Sequence, residues 1–484
     1  MRDRQQFQEE SADILRALTT RAFLSSASKV LWDVLARALS FASSLVIARS
    51  LGTAGFGRYA VLWYLAWMTA QLTDLGLHLA VLRNLSGGKG SLRTGLRLKA
   101  ASSLLTLGAG AIGLAVSGNQ EYRAVLPLWG AALAGSWCEL FGVCLRSRGK
   151  LAHEGAVLLT LRAGWLAAAG WALLVREAGI FQLGMWLFAG SVPGLVLGGF
   201  LIARESWPAV ARRGEARMLM AQVAPLAITA LITLVYLRVD VLLLAHFRGD
   251  EEAGLFTASF RLVEALFLFS GGIVAGAFPL IAARAASGSK ELGRLSGFVS
   301  GLLLSVALPA TAGLAVLAGP IVSFLYGTGF ASAAPSLRVL SLSLVAIYIN
   351  ALTTHLMVAT GRGRALAAVM AARLAVGVGI DLFLIPSFGS VGAALAVVGA
   401  EWSLTVLSLA MTRPWLVPGD LLRAGAVPMA CSVLMAALVL ACPVELPVRI
   451  VLGAAVYGTA LLFLGKSRSA RELRGVGSGV GVHG

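Results

Sequence analysis

The feature that most constrains this chain is the recurrence of apolar stretches about as long as a bilayer is thick. Fourteen can be read, at about 26–48, 59–82, 98–117, 124–145, 156–175, 180–203, 219–246, 253–283, 297–318, 335–358, 365–385, 390–412, 424–442 and 447–464. A helix rising 1.5 Å per residue needs about 20 apolar residues to cross a hydrocarbon layer of ~30 Å. A soluble core has no use for so many segments of that length. A transmembrane β-barrel would show shorter segments of alternating polarity, and none is present. Of 484 residues, 58% are hydrophobic and 13% charged, about half the charged share of a soluble domain. The chain therefore reads as an all-α polytopic membrane protein.

The net charge of +17 invites a nucleic-acid reading, but its distribution refuses one. Lys and Arg lie in short loops at the ends of the apolar stretches rather than along one face. If the N-terminus is cytoplasmic, the inner connections hold 27 of them, including Arg83, Lys89, Arg93, Arg97 and Lys99, against 5 outside. That asymmetry places both termini inside and makes the number of spans even. Residues 1–24 lack the apolar core and cleavage site of a signal peptide. Ser11 to Thr20 reads either as an interfacial helix or as a solvated tail. Beyond Lys466 the glycine-rich tail predicts disorder. Cys138, Cys144, Cys431 and Cys442 show neither metal-ligand nor disulfide-framework spacing and read as packing residues.

A motif recurs within the chain. Gly52 and Gly57 stand five apart, as do Gly249 and Gly254, with Tyr59 answered by Phe256, each at a shift of 197 residues. Two parallel six-helix lobes follow, each beginning inside. The expected organisation is a cytoplasmic segment (1–24), an N-lobe (25–204), a linker (205–218), a C-lobe (219–413), two further spans (414–465) and a tail (466–484).

Four stretches carry a family resemblance: ARSLGTAGFGRYA with DLGLHLAVLRNLS, YLRVDVLLLAHFRGDEEAGLFTASFRLVE, LYGTGFASAAPSLRVLSLS and LIPSFGSVGAALAVVGAE. Their order and spacing, over most of residues 45–405, resemble the multidrug/oligosaccharidyl-lipid/polysaccharide (MOP) exporter superfamily, and within it the O-antigen and exopolysaccharide repeat-unit flippases. Asp381 and Val397 depart from the residues common in that branch, asparagine and threonine. The resemblance implies two lobes around a central cavity that opens to one leaflet at a time. The cargo it implies is an oligosaccharide on a polyprenyl diphosphate, carried across the bacterial inner membrane. It further implies H⁺ or Na⁺ coupling without a cofactor, a monomer, and a polysaccharide polymerase and glycosyltransferases as functional partners.

The charges inside the spans support a polar interior on physical grounds alone. They include Asp33, Arg37, Asp74, Glu139, Arg162, Arg238, Asp240, Arg261, Glu264, Arg373, Asp381 and Glu401. Facing lipid, each would cost about 2.5–3.5 kcal/mol. Arg37, Arg162, Arg238, Arg261 and Arg373 are candidates for holding a diphosphate and its sugar, because the guanidinium fork matches phosphate oxygens. Arg261 with Glu264 and Arg37 with Asp33 have the spacing of local ion pairs. Asp240 and Asp381 fall at similar depths from the outer side and suit an ion-coupling pair, unless each meets an arginine. Asp74, Glu264 and Glu401 are further coupling candidates, and Glu139 lies near enough to the inner interface to reach it.

Two other classes compete. A drug or cation antiporter of the same superfamily would favour an acidic, aromatic cavity over one with five arginines. A membrane polymerase, ligase or glycosyltransferase would need a catalytic acid or base, commonly on a sizeable outer loop. The longest outer connection, 319–334, carries no acid or histidine. The five histidines show no triad or metal spacing, and no Walker sequence is present. A non-transporting scaffold would have no use for the intramembrane charges.

Overall fold

The computed structural model describes residues 2–87, 91–117, 123–175, 179–207, 214–287, 289–442 and 444–477. Among them the chain is helical, with no strand. The helices are α1 (Arg2–Leu72), α2 (Leu77–Ser86), α3 (Leu92–Ser117), α4 (Val125–Ser147), α5 (Leu151–Leu174), α6 (Ile180–Ala203) and α7 (Glu215–Arg248). They continue as α8 (Asp250–Ser287), α9 (Ser289–Tyr326), α10 (Ala334–Ser341), α11 (Ser343–Ala359), α12 (Gly363–Thr412), α13 (Pro418–Ala441) and α14 (Leu446–Gly477). Nine among the described residues are long and apolar enough to cross a membrane, or ten if the bent pair leading through α10 into α11 counts as one. Twelve of the fourteen stretches read from the sequence fall, within a residue or two, on a helix or on half of a divided one; 59–82 runs across the break between α1 and α2, and 335–358 covers α10 and α11.

The divisions fall at glycines for a steric reason. Gly52 (φ 70°) interrupts α1 and Gly389 (φ 55°) interrupts α12, both in the left-handed region that L side chains avoid. Gly249 (φ 88°) turns the chain between α7 and α8. The repeated motif thus uses its first glycine, Gly52 or Gly249, for the same backbone purpose in both copies. The tail differs from its composition. α14 remains helical to Gly477, where disorder was expected from Lys466, and residues 478–484 lie outside the described residues.

The chain divides into two compact units: residues up to Leu51 with Tyr59–Arg238, and Gly52–Arg58 with Val239–Gly484. In the first, α4, α5 and α6 pack through small residues. A Cβ on Gly164 would run into the carbonyl of Gly190, so the two backbones touch. With lipid outside offering no hydrophobic drive, such close packing is what holds membrane helices together. Cys138 and Cys144 are buried free thiols within this bundle, as expected of packing residues.

In the second unit, α8 packs against α9 and α11, and α11 against α12. The turn 52–58 joins this unit through its second glycine, because a Cβ on Gly57 would strike the Asp250 carbonyl and one on Gly254 the Thr53 carbonyl. Phe56, buried beside it, meets Phe330 edge-on with centroids 6.1 Å apart. α13 and α14 lie on α9: Leu317, Met435 and Val439 form a buried cluster, and the Tyr457 hydroxyl donates to the Ser305 carbonyl (2.6 Å).

Candidate functional site

The first unit contains a buried charge network at a helix break. Between α1 and α2 the backbone unwinds over 73–76, with Leu75 (φ 34°) and Gly76 (φ 93°) both at positive φ. Asp74 sits in this break and is buried. Lys99, from the second turn of α3, reaches it with no exposed surface and forms an ion pair with Asp74 Oδ1. Its other two donors go to Thr73 Oγ1 (2.6 Å) and Ser136 Oγ (2.5 Å), so the ammonium is fully satisfied. Ser136 Oγ donates in turn to Asp74 Oδ2 (2.5 Å), and His78 Nε2 lies 2.9 Å from Asp74 Oδ1. The loop-charge reading of Lys99 is therefore corrected: it is a core residue of α3. The available signal was its position just inside the third apolar stretch, with Asp74 in need of a cation.

Of the candidate arginines, Arg261 pairs with Glu264 (2.9 Å) on its own helix, as their spacing predicts. Arg373 forms an ion pair with Glu401 across the Gly389 break. Asn350 Nδ2 donates to Glu401 Oε2 (2.9 Å), and Thr405 Oγ1 donates to Asn350 Oδ1 (2.9 Å), which ties α11 to the second half of α12. Arg162 lies 3.9 Å from Glu139 of α4 and stacks on the Trp165 ring, 4.4 Å from its centroid. Glu139 thus turns to Arg162 rather than serving the interface. Arg238 is buried and stacks over Tyr64 at 4.5 Å. Arg37 is exposed and makes no ion pair with Asp33 among the described residues. Asp33 instead acts electrostatically on Arg146, which grips Glu154 through Nε (2.9 Å).

Asp240 of α7 and Asp381 of α12 are both buried and close enough to act on each other electrostatically. Asp381 Oδ1 has no hydrogen-bond partner among the described residues, and no cation there lies within ion-pair distance of that carboxylate. Asp240 Oδ1 accepts the Val241 amide (3.1 Å). No group of three His, Cys, Asp or Glu side chains among the described residues could hold a multivalent metal.

Two further acids, unremarked in the sequence, hold helix starts. Glu215, at the beginning of α7, accepts the Ser91 amide (2.5 Å) and the Thr94 hydroxyl (3.1 Å) as α3 begins. Glu252 of α8 accepts the Ser390 amide (2.7 Å) just past the Gly389 break. Carboxylates at helix N-termini meet unpaired N–H groups and the positive end of the dipole. Outside the spans, Lys150 hydrogen-bonds Glu205 and holds its carboxyl below the usual range.

Residues 179–335 match a family of polysaccharide biosynthesis proteins. No curated protein matches the sequence. Among solved structures, the chain is similar to the lipid II flippase MurJ in an inward closed conformation, with a TM-score of 0.75 and 14% identity over 90% of this chain and 99% of that one. It is also similar to an inward-facing multidrug resistance MATE transporter of the MOP superfamily (0.60, 13% identity, 83% and 98% covered). A mutant of the Vibrio cholerae MATE transporter VcmN follows at 0.51 and 14% identity, with 82% and 98% covered. At these identities the likeness is one of fold.

Proposed function

We propose that this chain, which has the fold of the MOP exporter superfamily, is a flippase for a polyprenyl-diphosphate-linked oligosaccharide, of the kind polymerised into O-antigen or exopolysaccharide. The observation that carries the reading is the match of residues 179–335 to polysaccharide biosynthesis proteins within a fold shared with the lipid II flippase MurJ. A diphosphate sugar cannot pass through hydrocarbon, where each unsatisfied polar group costs several kcal/mol. Two lobes in alternating access, with both termini inside, would carry the head group through water while the prenyl tail stays in lipid.

In this reading Arg37 is the first contact for the diphosphate, since it is exposed within a span and unopposed by Asp33. Arg238, Arg261 and Arg373 are further candidates for the diphosphate, the last two with their charge offset by Glu264 and Glu401. Asp74 is matched by Lys99, and ion coupling is assigned to Asp381, whose Oδ1 has no hydrogen-bond partner among the described residues, together with Asp240, which acts on it electrostatically. An inside-negative potential favours outward movement of an anion by about 2.3 kcal/mol per charge per 100 mV. The protein then works as a secondary transporter of the inner membrane and carries out no bond chemistry of its own.

The test is flipping of a polyprenyl-diphosphate-linked oligosaccharide by purified protein in liposomes under imposed ion gradients. Wild type should flip it, and the gradient should speed it. Asp240→Asn and Asp381→Asn should each abolish the ion-stimulated part, and undiminished stimulation in both would remove the coupling assignment. The MATE likeness favours a second reading, a lipophilic-cation antiporter. Saturable cation binding with no diphosphate-lipid binding would establish that reading instead.

A further inference from the structure

We infer that Glu139, Arg162 and the paired rings of Trp63 and Trp165 form a saccharide-binding subsite in the first unit, an inference that rests on the flippase reading above. Depth comes first. Arg162 lies 11 residues from the start of α5 and 12 from its end, and Glu139 lies 8 residues before the end of α4. Measured against the spans 124–145 and 156–175, each lies six residues, about 9 Å, inside its apolar stretch. Both side chains nonetheless keep surface, 24% for Arg162 and 37% for Glu139. A charged pair facing lipid at that depth is costly. The surface it shows must meet water.

Charge comes next. Glu139 offsets Arg162 at 3.9 Å, so the pair offers little net attraction to a diphosphate. It offers instead guanidinium donors beside carboxylate acceptors, the combination that sugar hydroxyls, each both donor and acceptor, can engage. The third observation is the aromatic surface next to it. The Arg162 guanidinium lies 4.4 Å from the Trp165 ring centroid. The Trp165 indole N–H donates to Ser191 Oγ (2.8 Å), which fixes that ring. Trp63 meets Trp165 perpendicularly (5.2 Å, 87°) and stacks on Tyr59 (6.1 Å, 21°). Trp165 and Tyr59 are buried, whereas Trp63 remains partly exposed. The negative face of an indole attracts the polarised C–H groups of a pyranose ring. Packing alone would account for the rings, but not for a part-exposed ion pair beside them within the spans.

The subsite separates two parts of one cargo: Trp63, Trp165, Glu139 and Arg162 read the sugar, while the diphosphate is held elsewhere. The experiment measures equilibrium binding of two probes, polyprenyl diphosphate and polyprenyl diphosphate N-acetylglucosamine, to the purified full-length protein. Trp63→Leu should weaken the sugar-bearing probe about tenfold while moving the bare probe less than twofold, and Trp63→Tyr should recover most of the loss. Glu139→Ala, read the same way, serves if Trp63→Leu does not fold. Equal losses for both probes, or none for either, would overturn the subsite and leave the flippase reading standing. Failure of wild type to bind either probe would overturn that reading and the subsite with it.

Discussion

Lys99→Met should destabilise the protein by about 3–5 kcal/mol, as measured by thermal or denaturant unfolding of the detergent-solubilised chain. The substitution leaves the Asp74 carboxylate buried at the α1–α2 break with its cation gone and only Ser136, His78 and its neighbours to satisfy it. The loss would come mainly from the stranded charge, because two matched charges out of water are tolerable while one is not. The paired change Lys99→Met with Asp74→Leu should therefore recover most of the stability, since an apolar pair of similar volume often replaces a buried ion pair at little cost. A double variant as unstable as the single one would mean that the network is needed for packing rather than for charge balance. The positive φ at Leu75 and Gly76 makes the same point from the backbone. A helix opened at membrane depth frees backbone polar groups, and the Ser102 hydroxyl meets one of them by donating to the Thr73 carbonyl (2.9 Å).

Gly57→Ala should cost about 3 kcal/mol, an unusually large effect for a single added methyl group. The new Cβ would overlap the Asp250 carbonyl, which is backbone and cannot rotate away as a side chain would. Gly254→Ala meets the Thr53 carbonyl and should behave alike. As a control, Gly271→Ala on the same helix as Gly254 meets nothing within 4 Å and should be neutral or mildly stabilising. Unfolding of the three variants side by side checks the argument. If Gly57→Ala and Gly271→Ala proved equally mild, the repeated glycines would owe their spacing to the turns at Gly52 and Gly249 alone.

Much of this molecule is written in one dimension. Span length, loop charge and the 197-residue shift between Gly52 and Gly249 depend only on what a short window contains, so the sequence determines the helices, their number and their repetition. One ion pair was equally legible: Arg261 and Glu264 stand three apart, and a single helix turn brings them together. The other charges in the spans found their partners across helices. Asp74 and Lys99 are 25 residues apart, Arg373 and Glu401 are 28 apart, and Glu139 and Arg162 are 23 apart. A bilayer obliges each such charge to find a partner or water but does not say which, because that choice depends on how the helices rotate and slide as their small residues pack. Composition and periodicity set the cost of those charges. Only the tertiary structure decided where it is met.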